Sequence, residues 1–249
     1  MKGLTLEGRV ALVTGGAGGM GAAIARDLAS IGATVCVCDI DAEGATAVAD
    51  KVTGAHALPV DLADPASVDA MLSRLAETAG PVDVLVSNAG WDKVEPFVAN
   101  DPAVWDRLIA INLRAPIQLT HALLPGMVER HWGRCLYVSS DAGRVGSSGE
   151  AVYAACKAGL IGFAKTIARE AARAGVTANA VCPGPTDTPL LRSIAGDNPK
   201  LVQALERAVP LGRLGQPDDV SGAVAYLCSE RAGYITGQTL SVSGGLTMA

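Results

Sequence analysis

Seven short runs rich in β-branched and small apolar residues recur along the chain: RVALVTG, ATVCVCDI, AHALPVDL, VDVLVSNAG, RCLYVSS, VTANAVCPG and TLSVSGG. None alternates strictly between apolar and polar, so each reads as a strand buried on both faces of a sheet. Longer segments with helical spacing separate them. Strands covered on both faces need helices on both sides, so the alternation predicts one α/β domain over residues 1–249, built on a doubly wound, parallel seven-stranded sheet. In such sheets ligands bind at the C-terminal ends of the strands, near the point where strand order reverses. The informative residues are therefore those just past each run.

Composition narrows the picture. The chain has 249 residues, 49% of them apolar and 18% charged, with no linker-like stretch and no repeat, which suits one large core. A formal charge of −5 gives nucleic acid or an anionic membrane no average attraction. The first residues, MKGLTLEGRVALVTGG, carry Glu7 and Arg9 within any apolar run, so no signal peptide is expected. No uninterrupted apolar stretch reaches the roughly 20 residues of a bilayer span, and a cytoplasmic protein is expected. The six Cys, including Cys36 and Cys38 on one face of a strand, read as small core fillers. His56, His121 and His131 lack metal-ligand spacing and read as surface or helix-end residues; no metal site is expected.

After the first run comes TGGAGGMGAAIARDLA, residues 14–29. Glycines at 15, 19 and 21 permit a sharp turn, bring backbone N–H groups against a pyrophosphate, and aim a helix N-terminus at that anion; Gly18 and Met20 share the turn. The second run ends at Asp39, where a carboxylate accepts hydrogen bonds from a ribose and repels a 2′-phosphate. Gly18 supplies no basic side chain to offset that repulsion. The loop therefore points to NAD in preference to NADP.

Within SSGEAVYAACKAGLIGF, Tyr153 precedes Lys157 by four residues. On a helix that spacing puts the phenol and the ammonium on one face, about 5–6 Å apart at Cβ. Alone, the pair equally fits an inward aromatic and a surface lysine.

With TGGAGGMG, SNAG, Asn112 in IAINL, Ser140 in LYVSSDAG and YAACK all in this order, the chain resembles the classical short-chain dehydrogenase/reductase family along nearly its whole length. The resemblance implies a Rossmann fold and an oxidoreductase interconverting a secondary alcohol and a ketone. It makes Tyr153 the general acid and base. A free phenol titrates near pH 10, and Lys157 with the positive nicotinamide ring is expected to lower that by about three units. Lys157 would also grip the nicotinamide ribose, and Ser140 would hydrogen-bond the substrate oxygen while Ser139 points the other way. Asn112 would hold a water in a proton relay. Its carbonyl would normally accept from residue 116, but Pro116 has no N–H, which leaves an acceptor for that water.

Further carry-overs place Asp61 and Leu62 near the adenine, and Asn88, Ala89 and Gly90 beside the adenosine ribose. Pro183, Gly184, Thr186 and Thr188 fall at the nicotinamide end. Ser87 departs from the family pattern, where a first Asn usually stands, and puts a sheet-stabilising hydrogen bond in doubt. The family also implies a homotetramer, with residues 219–245 at its interfaces; the alternative is that this apolar face is ordinary core.

The substrate must be read from the segments 91–97, 141–152 and 190–211. Trp91 offers an apolar wall, and Arg144, Arg192 and Lys200 offer cations for an anionic handle. The tracts NAGWD, RVGSSGEAVYAACK, VCPGPTDT, PLGRLG and LSVSGGLTM resemble alicyclic 3-hydroxyacyl-CoA dehydrogenases. That implies a small-molecule substrate, an acyl-CoA thioester such as 2-hydroxycyclohexane-1-carbonyl-CoA, oxidised with NAD⁺. The alternatives are a 3-oxoacyl-(acyl-carrier-protein) reductase, which usually uses NADPH, and a nucleotide-binding scaffold without catalysis.

Overall fold

A computed structural model describes residues 3–196 and 198–248. Met1, Lys2, Asp197 and Ala249, which fall in the N-terminal stretch, the 190–211 segment and the C-terminus of the expected domain, lie outside the described residues. In chain order the elements are β1 (Val10–Thr14), α1 (Gly19–Ser30), β2 (Thr34–Asp39), α2 (Ala42–Ala49), β3 (His56–Pro59), α3 (Pro65–Thr78) and β4 (Val84–Ser87). Then come α4 (Ala103–Ile109), a π-helical turn (Ala110–Arg114), α5 (Ala115–Glu129), β5 (Gly133–Val138), α6 (Ala142–Val145), α7 (Ala151–Ala171) and β6 (Val176–Pro183). The chain closes with α8 (Pro189–Ala195), α9 (Pro199–Ala208), α10 (Pro217–Cys228) and β7 (Thr239–Val242).

All seven expected runs form strands, and every pairing in the sheet is parallel. The order is β3-β2-β1-β4-β5-β6-β7. The chain winds outward from β1 to β3, then crosses back and winds outward from β4 to β7, so the ends of β1 and β4 flank the switch point.

Side-chain alternation along the strands divides the interior into two cores, one on each face of the sheet. Leu12, Cys36, Cys38, Met71, Leu119 and Tyr137 belong to one; Val13, Val35, Val37, Ile24, Leu28 and Val224 belong to the other. All six cysteines are buried and free, as expected of core fillers, and burial pushes the Cys36 and Cys228 thiols up to about 12. His56 lies in the edge strand β3 opposite Cys36, half-buried, and not at a helix end.

Burial on both faces fails at the sheet edges. β7 is only half-buried and Leu240 is 43% exposed, because an edge strand has one neighbour and no further helix beyond it. The apolar face of α10, in contrast, is consumed inside the chain. Val220, Val224, Leu227 and Cys228 join the core shared with α1, which leaves Tyr226, Tyr234 and Leu240 as the exposed large apolar groups of residues 219–245. Among the described residues, α7 is the one helix long and apolar enough to cross a membrane, and it packs Leu160, Ala164 and Ile167 into the core beneath the sheet.

Candidate active site

The glycine-rich turn is built by close approach. Gly15 and Gly19 adopt φ of +65° and +54°, conformations that side chains rarely take. A methyl group on Gly21 would overlap the Gly15 carbonyl, and one on Gly15 would sit 2.8 Å from the Ala89 Cα. Helix α1 thus begins directly against the turn. Its N-cap Gly18 is extended, with neither a capping side chain nor an acidic residue in the first turn, so the first N–H groups are left for an external anion.

Side chains from neighbouring strand ends fasten this turn. Asp39 accepts from Ala17 N at 2.9 Å and from Asp41 N at 3.1 Å, so its carboxylate ties the turn to the end of β2. Asn88 donates to the Thr14 and Gly15 carbonyls at 2.9 and 3.1 Å. The Thr14 hydroxyl accepts from the Asn88 and Ala89 N–H groups. The buried Asn88 Oδ1 keeps no partner among the described residues, which suits a ligand donor. Ser87 Oγ is likewise buried and unpartnered, so the hydrogen bond doubted for this position is missing.

A cleft of about 530 Å³ opens between these strand ends. Of the expected cofactor residues, Gly15, Gly18, Gly19, Met20, Gly21, Asp39, Asp61, Leu62, Asn88, Ala89, Gly90, Tyr153, Lys157 and Thr188 line it. Pro183, Gly184 and Thr186 do not. The N–H of Gly184 is bound to the Val242 carbonyl, and the Thr186 hydroxyl donates to the Gly184 carbonyl, so these residues brace the β6–β7 edge. Thr188 caps α8 by accepting from Leu191 N. The cleft also includes residues not anticipated, among them Ile40, Ile111, Arg107 and Leu190. Ile40 carried a readable signal: it is an apolar residue between Asp39 and Asp41, and it is 69% exposed.

At the inner end of the cleft, Lys157 is 2% exposed and its Nζ donates to the Val138 carbonyl at 2.9 Å, 5.5 Å from the Tyr153 ring centre. Burial pushes this ammonium down to about 8, against the opposing pull of Cys156, Cys182 and Asp92. Ser139 lines the cleft, and its hydroxyl donates to the Lys157 carbonyl at 2.7 Å. Ser140 accepts from Ala142 N at 3.1 Å and hydrogen-bonds the Tyr153 hydroxyl. The two adjacent serines thus have different partners, the Lys157 carbonyl for Ser139 and the Tyr153 hydroxyl for Ser140, and of the two it is Ser139 that lines the cleft.

The ionisation of Tyr153 differs from expectation. Burial, then Asp92, then Glu150 push the phenol above its ordinary range, and the Ser140 hydrogen bond only partly opposes them. The helical spacing did bring Lys157 alongside. Its ammonium, however, is directed at a backbone carbonyl and is itself destabilised by burial, so in the protein alone it does not draw the phenol down.

Asn112 is fully buried within the π-helical turn. Its amide donates to the Trp91 carbonyl at 2.7 Å and the Leu108 carbonyl at 3.0 Å, and its Oδ1 accepts from Trp91 N at 3.2 Å. The side chain thereby fixes the segment after β4 against α4. The expected i→i+4 register also gives way: Ala115 N reaches back to the Ala110 carbonyl, a spacing of five, just ahead of the missing Pro116 donor.

The expected substrate contacts fare unevenly. Trp91 lines the cleft, but its ring face is covered by the Arg107 guanidinium at 4.4 Å. Arg144 does not line it; it donates at 2.6 Å to Ser241, which in turn donates to Asp141. β7 therefore captures the cation that sequence alone offered to a substrate. Arg192 is paired with Asp187 at 2.8 Å, and Lys200 is exposed on α9.

A dinucleotide-sized cleft with a phosphate turn at one end and a hydroxyl, phenol and buried lysine at the other defines an oxidoreductase of alcohols and ketones that uses a nicotinamide cofactor. The comparisons agree. Residues 15–247 match the family model described as enoyl-(acyl carrier protein) reductase. Nodulation protein G of Azospirillum brasilense is 42% identical over 96% of this chain and 98% of its own length. The 3-oxoacyl-[acyl-carrier-protein] reductase FabG of Escherichia coli is 39% identical over 98% of this chain and 100% of its own. The crystal structure of a putative gluconate dehydrogenase from Agrobacterium tumefaciens superposes with a TM-score of 0.93 at 28% identity, covering 98% of this chain and 97% of that one. The chain belongs to the short-chain dehydrogenase/reductase family.

Proposed function

We propose that the protein interconverts a 3-hydroxyacyl and a 3-oxoacyl thioester, with NAD(H) as the cofactor. The observation that carries this is Tyr153 and Lys157 together at the inner end of the cleft whose far end holds Asp39, with Ser140 hydrogen-bonded to the Tyr153 hydroxyl. The 3-oxoacyl reductase relatives support a β-oxo thioester as substrate. Asp39, unaccompanied by a basic residue at Gly18, supports NAD.

When bound, the nicotinamide dinucleotide supplies or accepts hydride. The α1 N-terminus and the Gly15–Gly21 turn would hold its pyrophosphate, Asp39 its ribose, and Asn88 and Lys157 its inner portion. For reduction, the Ser140 hydroxyl donates to the ketone oxygen and fixes it beside Tyr153. The phenol gives its proton to that oxygen as negative charge accumulates there. For oxidation the same phenol must first lose its proton, which requires positive charge nearby to offset burial. Asn112 keeps the Trp91 segment in place, and its backbone carbonyl would accept from the relay water.

The second reading, 2-hydroxycyclohexanecarboxyl-CoA dehydrogenase, rests on the tracts NAGWD and RVGSSGEAVYAACK. Steady-state kinetics with NAD⁺ and NADP⁺ on 2-hydroxycyclohexane-1-carbonyl-CoA and on 3-hydroxybutanoyl-CoA separate the two. Preference for the straight-chain thioester with NAD⁺ is expected; preference for the cyclic one favours the second reading. Equal or better use of NADP would overturn the cofactor assignment, and binding of NADH with no turnover on either thioester would leave only a scaffold. In this reading the enzyme works in the cytoplasm as a homotetramer associating through the exposed β7 edge, which light scattering tests.

A further inference from the structure

Tyr153 lines not only the cleft but also a second cavity of about 10 Å³, which it shares with Asp92, Glu150, Leu108, Phe97 and Asn100. That is room for about one water. Asp92 is 8% exposed; its Oδ1 accepts the Lys93 N–H at 2.8 Å and its Oδ2 has no partner among the described residues. A buried, half-partnered carboxylate is costly, so its presence beside the phenol calls for a use.

Its own loop, α4 and α7 surround it. From its own loop, the Lys93 ammonium is taken by Glu95 at 3.2 Å. From α4 comes apolar Leu108. From α7 and its N-cap come Glu150, Tyr153 and Lys157, the last directed at the Val138 carbonyl. A carboxylate pair therefore outweighs one preoccupied ammonium.

We propose that Asp92, assisted by Glu150, is a positioning residue that holds the proton on the Tyr153 hydroxyl and so biases the site toward donating a proton to a ketone. This rests on Tyr153 acting as the proton donor, as argued above. Burial and then the Glu150 carboxyl push Asp92 up to about 7, so its charge develops across neutral pH. As pH rises past that point the carboxylate increasingly resists ionisation of the phenol. Reduction then persists to higher pH, and oxidation needs a more alkaline medium than burial alone would demand.

The test is the isosteric variant Asp92→Asn, with Glu150→Gln and the exposed loop control Lys93→Gln. Two readouts are taken: the pH midpoint of kcat for alcohol oxidation, and the near-ultraviolet tyrosinate titration of the free protein, read as the difference from Tyr153→Phe. In D92N both midpoints should move to lower pH by about one unit or more. E150Q should move them less in the same direction, and K93Q not at all. Unmoved midpoints in D92N, or an equal movement in K93Q, overturn the proposal; if D92N fails to fold, an unmoved E150Q does so. Full turnover in Y153F would instead overturn the function itself. Loss of turnover in Y153F with an unmoved D92N removes only the role of Asp92.

Discussion

Replacing Asp39 by Asn probes the cofactor assignment with little change of shape. The carboxylate accepts from Ala17 N and Asp41 N, and an amide keeps one of these acceptors while losing the charge. Like charges about 5 Å apart repel by about 3 kcal/mol at an effective dielectric of 20 and by under about 1 kcal/mol in bulk water. Asp39 is half-buried at the rim of the cleft, so the repulsion of a 2′-phosphate should lie between these limits. About 1–2 kcal/mol, roughly a tenfold effect, is a fair expectation. The assay is kcat/KM for NAD⁺ and NADP⁺ with one hydroxyacyl thioester, at low and high salt. The wild type should favour NAD⁺, D39N should narrow the ratio about tenfold, and salt should narrow it further in the wild type than in the variant. A ratio unchanged in D39N would show that the carboxylate serves only to tie the turn to β2, and the electrostatic reasoning would be wrong.

Other outcomes follow from the same geometry. Gly21→Ala places a methyl against the Gly15 carbonyl, with the carbonyl carbon only 2.7 Å away. The turn must shift, and despite the better helix propensity of Ala the affinity for NADH, measured by fluorescence titration, should fall by about tenfold or more. Ser87→Ala removes a buried hydroxyl that has no partner. It should leave thermal stability unchanged or raise it, by up to about 1 kcal/mol, and a clear loss would reveal a partner for that oxygen. Asp92 binds a proton in the folded state that the unfolded chain releases near pH 3.8, because its folded value is raised to about 7. Its contribution is therefore present below the unfolded value and is lost as pH rises toward 7. Melting curves of the wild type and D92N should converge in acid and separate above neutrality, with D92N the more stable.

Much of this protein follows from local sequence. Continuous β-branched runs spaced by helical segments dictate a parallel sheet covered on both faces, because only helices on each side bury such strands. The glycine spacing of the first turn and the i, i+4 placement of Tyr153 and Lys157 are likewise local, so both were legible without a structure. What tertiary packing decided is the state and the company of those groups. Arg144 and Arg192 were candidates for an anionic substrate; Ser241 and Asp187, brought up by folding, hold them instead. The hydrophobic pattern marked β7 as buried, but its place at the sheet edge left Leu240 exposed. Above all, the loop after β4 carries Asp92 to α7, beside Tyr153, and the depth of the site turns the ammonium of Lys157 toward the Val138 carbonyl. Periodicity reports which face a residue occupies. The charge it carries depends on desolvation and on neighbours distant in sequence, and these exist only once the chain is folded.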